Sequence, residues 1–142
     1  MSMYDVIQYK LDRLINIMLN DGVQPGDIAD NIFLDEYKQV SYKKCGDNII
    51  GEVVISETIG NRESDYILRY FYTSNKRIMR IEEEKFGKVT VHWDRTSVET
   101  ELINDIVDML KIHYTETQME QFVNTLPKDL SEKIMNLYYK AA

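Results

Sequence analysis

Asp65-Tyr66-Ile67-Leu68-Arg69-Tyr70-Phe71-Tyr72-Thr73 is the stretch on which the fold turns. Side chains of an extended segment alternate between faces, so Tyr66, Leu68, Tyr70 and Tyr72 share one face and Ile67, Arg69, Phe71 and Thr73 the other. Bulky side chains on both faces belong to a strand inside a sheet, covered on both sides. A helix needs only one of those faces. The tyrosine face either completes the core or meets a partner, and helical segments at both chain ends favour core.

The segments around this strand read as its neighbours. Residues 39–45 form a first strand ended by Gly46-Asp47-Asn48. Residues 49–59 form a second, with Val53, Ile55 and Ile59 on one face. Ser74-Asn75-Lys76 turns the chain into a fourth strand, 77–84, with Ile78 opposed to Met79 and Ile81. Phe86-Gly87 leads into a fifth, 88–93, with Val89, Val91 and Trp93 on one face. Short turns between consecutive strands imply an antiparallel meander.

Helical periodicity brackets the strands. Over residues 3–20, Ser2 and Asp5 are spaced as a capping box, and Ile7, Leu11, Leu14, Ile15 and Met18 make one stripe that Asp21-Gly22 ends. After the turn Gln24-Pro25-Gly26, Asp27 is placed to cap a short helix carrying Ile28, Ala29, Ile32 and Phe33. Thr96 and Glu99 form a capping box ahead of Val98, Leu102, Ile103, Ile106, Val107 and Leu110. Thr115 and Gln118 form another ahead of Met119, Phe122, Val123 and Leu126. Pro127 interrupts, and Leu130, Ile134, Leu137 and Tyr138 make the last stripe. Helices and strands come in blocks, so the expected fold is one α+β domain over residues 1–142: an N-terminal helix, an antiparallel meander of about five strands, and two or three C-terminal helices. The terminal helices are expected to pack on the sheet. The expected core is Leu11, Leu14, Ile55, Leu68, Tyr70, Ile81, Val91, Leu102, Ile106, Leu110 and Phe122.

Composition bounds the function classes. The 142 residues are 44% apolar and 29% charged, which describes a globular chain rather than a disordered one. No apolar run approaches the ~20 residues of a membrane-spanning helix, and no basic-then-apolar leader opens the chain, so no membrane association and a cytoplasmic location are expected. Abundant Ile, Asn, Lys and Tyr suggest an A/T-rich bacterial or phage genome. The single cysteine, Cys45 in Lys43-Lys44-Cys45-Gly46, excludes an intramolecular disulfide and a Cys-rich zinc site. A net charge of −7 argues against nucleic acid and for a protein partner with a basic surface.

Candidate chemistry is sparse. His92-Trp93-Asp94 puts an imidazole and a carboxylate on one face of a strand, and His113 lies far along the chain. Glu83-Glu84-Lys85, with Asp65 expected opposite Glu84, has the spacing of a metal-dependent nuclease site but lacks its proline, Ser64 standing there. No nucleophile elbow, phosphate-binding loop or dinucleotide fingerprint occurs. Lys76, Arg77, Arg80, Lys85 and Lys88 near Tyr70 and Tyr72 suit cross-strand pairing better than a nucleic acid platform, because Glu82, Glu83 and Glu84 interleave with them. The turn at residues 22–29 superficially resembles a helix-turn-helix turn, but the segment after it is acidic. Glu101, Asp105 and Asp108, spaced i, i+4, i+7, make an acidic stripe on the second long helix.

These readings lead to an expected non-enzymatic, cytoplasmic interaction protein of the inhibitor, immunity or adaptor kind, without cofactor or metal. It would dock an acidic surface (Glu101, Asp105, Asp108) with Tyr70 and Tyr72 onto a protein. The alternatives are a small-ligand-binding domain or small enzyme with a pocket between sheet and helix, and a homodimer through sheet or C-terminal helices.

Overall fold

A computed structural model describes residues 2–140. The chain runs α1 (Met3–Leu19), α2 (Pro25–Asp30), a 3-10 turn (Asn31–Phe33), β1 (Tyr37–Cys45), β2 (Asn48–Ile59), β3 (Arg62–Thr73), β4 (Ile78–Lys85), β5 (Lys88–Asp94), α3 (Arg95–His113), α4 (Glu116–Val123) and α5 (Lys128–Lys140). This is an α+β fold with an N-terminal helix, a five-stranded antiparallel sheet and C-terminal helices. Its residues gather into two compact units. One comprises the residues up to Leu19 together with those from Ser97 onward, and the other comprises Asn20–Thr96.

In the sheet unit the strands follow chain order, β1-β2-β3-β4-β5, each antiparallel to the next. β3 is central, as its two bulky faces require. Two bulges then decide which side chains enter the core. Phe71 pairs with Arg80 but Tyr72 with Ile78, leaving Met79 as an extra residue on β4. An extra residue shifts the alternation by one. Ile78 and Ile81, expected on opposite faces, therefore both join the sheet core. On β5, Ile81 pairs with Trp93 but Glu82 with Val91, so His92 is the extra residue. Trp93 turns to the core, while Val89 and Val91 stay opposite Glu84 and Glu82 and are exposed. The expectation that these three share a face, and that Val91 is core, is corrected here.

Ile28, Val53, Ile55, Tyr72 and Ile78 form the buried centre of this unit, with Leu68, Tyr70, Ile81 and Trp93 packed around it. Burying each of the large side chains contributes about 1.5–3 kcal/mol. The segment before β1 covers the tyrosine face. The Tyr72 hydroxyl donates to the Val23 carbonyl at 2.7 Å, and the Tyr42 hydroxyl donates to Pro25 O at 2.6 Å. Gly51 makes room for Tyr42, since a Cβ there would come within 2.7 Å of its ring.

Burial pushes the Tyr72 phenol well above the ordinary tyrosine range, with the neighbouring Tyr42, Tyr70 and Asp27 adding to the shift. The folded state thus holds this proton more tightly than the unfolded chain. The associated stability is complete below the unfolded tyrosine pKa of about 10 and is lost as pH rises through it towards the folded value. In alkaline titration followed by ultraviolet difference absorbance, Tyr72 should ionise only as the sheet opens. Tyr72→Phe should remove that late step and cost about 1 kcal/mol at neutral pH. Identical titration curves for the two proteins would contradict this.

The helical unit closes on its own stripes. Leu11 and Leu14 of α1, Leu102, Ile106 and Leu110 of α3, Met119 and Val123 of α4, and Leu130 and Ile134 of α5 make one core. Within this unit the helices bury one another's stripes. Phe122 packs edge-on against Tyr114 at 6.0 Å. Two capping boxes start helices as the spacing predicts. Asp5 N donates to Ser2 Oγ at 3.2 Å while Ser2 N donates to the Asp5 carboxylate at 3.1 Å, and Thr115 and Gln118 exchange bonds of 2.9 and 3.2 Å. No helix of the described residues is long and apolar enough to cross a membrane.

Candidate interaction site

Of the three acids in the α3 stripe, only Asp105 is taken up by an ion pair. Asp105 is half-buried and pairs with Lys10 of α1 at 3.1 Å. Glu101 and Asp108 are exposed. Asp108 lines a groove of about 270 Å³ between α3 and α5 together with Asn104, Val107, Lys111, Leu137 and Lys140. On α4, Glu116 and Glu120 face one phenol: the Tyr139 hydroxyl lies 2.9 and 3.0 Å from their carboxylates, and the hydrogen bond to Glu116 is the first cause that pushes its pKa up.

Tyr72, expected as one choice for partner contact, is 1% exposed and belongs to the sheet core. Tyr70 is half-buried beside it, and desolvation raises its pKa. The opposite face of the sheet carries an ion-pair ladder. Arg69 on β3 reaches Glu52 on β2 at 3.0 Å and Glu84 on β4 at 3.3 Å, and Arg80 reaches Glu82 at 2.7 Å and Asp94 at 3.3 Å. These partly exposed pairs contribute roughly 0.2–1 kcal/mol each. They also absorb most of the local basic charge, for Arg77 pairs with Asp21 and Lys85 with Glu57. Of the cations expected to pair across strands, Arg80 and Lys85 do so, Arg77 pairs with Asp21 outside the sheet, and Lys76 and Lys88 form no ion pair among the described residues.

The possible chemical sites come apart. The bulge at His92 breaks the alternation, so His92 lies 3.5 Å from Glu83 while Asp94 pairs with Arg80. The nuclease-like residues scatter as well. Glu84 pairs with Ile67 rather than Asp65: the turn that sets Tyr72 against Ile78 would put Glu84 opposite Tyr66, the extra Met79 moves it one position further, and Asp65 is held by Lys38 at 3.0 Å. No cluster of metal-ligating side chains occurs among the described residues. Cys45 is exposed at the end of β1.

One surface was missed by sequence reading. Helix α2 starts at Pro25 with Gln24 as its N-cap, so Asp27 lies within the first turn instead of capping it. Proline suits that first position because its fixed φ is already helical. The helix ends at Asp30 with Ile28 as its buried residue, and the chain tightens into the 3-10 turn. A 3-10 turn advances side chains by about 120° per residue against 100° in an α-helix, which takes the following residues off the buried face. Phe33 is 86% exposed, and its neighbours Ile32 and Leu34 are exposed too.

The knob is held by its backbone. Leu34 N donates to Asn31 O at 2.9 Å, Tyr37 N to Leu34 O at 3.1 Å, and Ser56 N on β2 to Glu36 O at 2.8 Å. Asp30, Asp35 and Glu36 flank it along the chain and Asp27 lies in the first turn of α2; all four are exposed and without an ion pair among the described residues. A visible signal was the unbroken run Ile32-Phe33-Leu34 between acidic residues, which no single helical or strand face can bury. The chain matches no protein-family model, no curated protein and no solved structure significantly.

Proposed function

We propose that the protein is a non-enzymatic interaction module that docks onto a protein with a basic surface, and that Phe33 is its anchor. The observation that carries this reading is an aromatic side chain 86% exposed on a hydrogen-bonded turn. Large exposed apolar side chains cost solubility, and aromatic residues concentrate at interface centres. A turn already fixed by its backbone loses little freedom on binding, so more of the contact energy appears as affinity. The acidic collar of Asp30, Asp35 and Glu36 selects the partner: an apolar pocket rimmed by lysine or arginine.

The test begins with affinity capture from a lysate of the encoding organism, followed by calorimetric titration of the purified partner. Phe33→Ser should weaken binding about 30-fold or more, the effect of losing a buried aromatic anchor of 2 kcal/mol or above. An Asp30, Asp35, Glu36→Lys triple variant should weaken it further at low salt than at high salt. Both substitutions fall on exposed positions, and unfolding midpoints should match the wild type. Equal affinity of wild type and Phe33→Ser would overturn the reading.

A further inference from the structure

We propose that the free edge of β5 pairs with β5 of a second copy, antiparallel about a two-fold axis through Thr90. Of the two edge strands, β1 carries Lys38, Lys43 and Lys44, the charged residues that discourage edge pairing. β5 reads Lys88-Val89-Thr90-Val91-His92, and Val89 and Val91 are 48% and 44% exposed. Directly opposed residues of an antiparallel pair lie on the same face, so a two-fold axis between strands passes through a residue position. Placing it at Thr90 sets Val89 of each copy against Val91 of the other, and Thr90 against itself. The four valines then form one apolar strip on the face that already carries Ile67 and Val54.

Charge selects the same register. Lys88 is exposed and makes no ion pair among the described residues. It would stand opposite the other copy's His92, whose imidazole is 3.5 Å from Glu83. Each lysine thereby meets a carboxylate across the joint, twice by symmetry. The bulge at His92 ends the regular edge, limiting pairing to about five residues from each copy. A five-residue joint falls below the ~1,200 Å² at which specific, stable interfaces begin, so the dimer is concentration-dependent. It is independent of docking through Phe33, which precedes the opposite edge strand.

Sedimentation equilibrium of the full chain tests the proposal. Wild type should shift from monomer towards twice its mass as concentration rises, and Val89→Lys with Val91→Lys should abolish the shift while leaving circular dichroism unchanged. Ser41→Lys on β1 should dimerise like wild type. In a Cys45→Ser background, Thr90→Cys should form a disulfide-linked dimer on oxidation, and Val89→Cys should do so at least tenfold more slowly, because only residue 90 faces itself. A wild type that stays monomeric at about 1 mM, a dimer indifferent to the valine substitutions, or equal cross-linking at both positions would overturn it.

Discussion

Gly22→Ala should destabilise the sheet unit by about 3 kcal/mol, seen as a lower urea midpoint with an unchanged slope. Two costs combine. Gly22 has φ of +84°, a conformation that costs an L-residue about 1–2 kcal/mol. A Cβ at this position would also overlap the side chain of Ile78, itself 3% exposed at the centre of the sheet core. Forcing an extra carbon into a packed site costs about 1–3 kcal/mol more. Gly87→Ala supplies the control. Its φ is +76°, but a Cβ there would meet open space, so only the conformational cost applies. Equal losses at the two glycines would show that Ile78 yields freely and that the packing argument is wrong.

Arg95→Met should cost a similar amount, about 2–4 kcal/mol, because it strands carbonyl groups that the guanidinium now satisfies. Arg95 is 3% exposed. Its Nε donates to Ile78 O at 2.7 Å, its Nη2 donates to Asn20 O at 3.0 Å, and its guanidinium lies 5.2 Å from the Trp93 ring centroid. The planar fork joins the segment at Asn20 to the first residue of β4, beside the bond from Ile78 N to Asp21 O. Lysine presents one point of donation and no planar face, so Arg95→Lys should rescue less than half of the loss. Because Gly22 and Arg95 meet at Ile78, the double variant should be non-additive by at least about 0.5 kcal/mol in denaturant unfolding. Strict additivity would mean that the two residues act on separate parts of the sheet.

Much of the fold was legible because its signals are local. Alternation in β2 and β3 follows from backbone geometry alone, and the stripes of α1 and α3 recur at helical spacing whatever they pack against. The boxes at Ser2 and Thr115 involve partners three residues apart. Errors gathered where one inserted residue changes the outcome. Neither Met79 nor His92 looks unusual in sequence, yet each shifts a strand by one position and reassigns Ile78, Val91 and Trp93. The candidate site was less legible still. Asp105 reads as one of three free acids on α3, and only folding brings Lys10, 95 positions earlier, to within 3.1 Å of it.

By itself, then, the sequence determined the helix-sheet-helix order, the central place of residues 65–73 and the negative charge, since each depends on residue types and short-range spacing. The tertiary structure alone decided that Tyr72 is core while Phe33 is surface. Both are large aromatic residues in apolar runs. Tyr72 finds an apolar neighbourhood and an acceptor at Val23, whereas the 3-10 turn after a six-residue helix sends Phe33 into solvent. Burial is a property of what lies opposite a side chain, and what lies opposite is set by contacts distant in sequence.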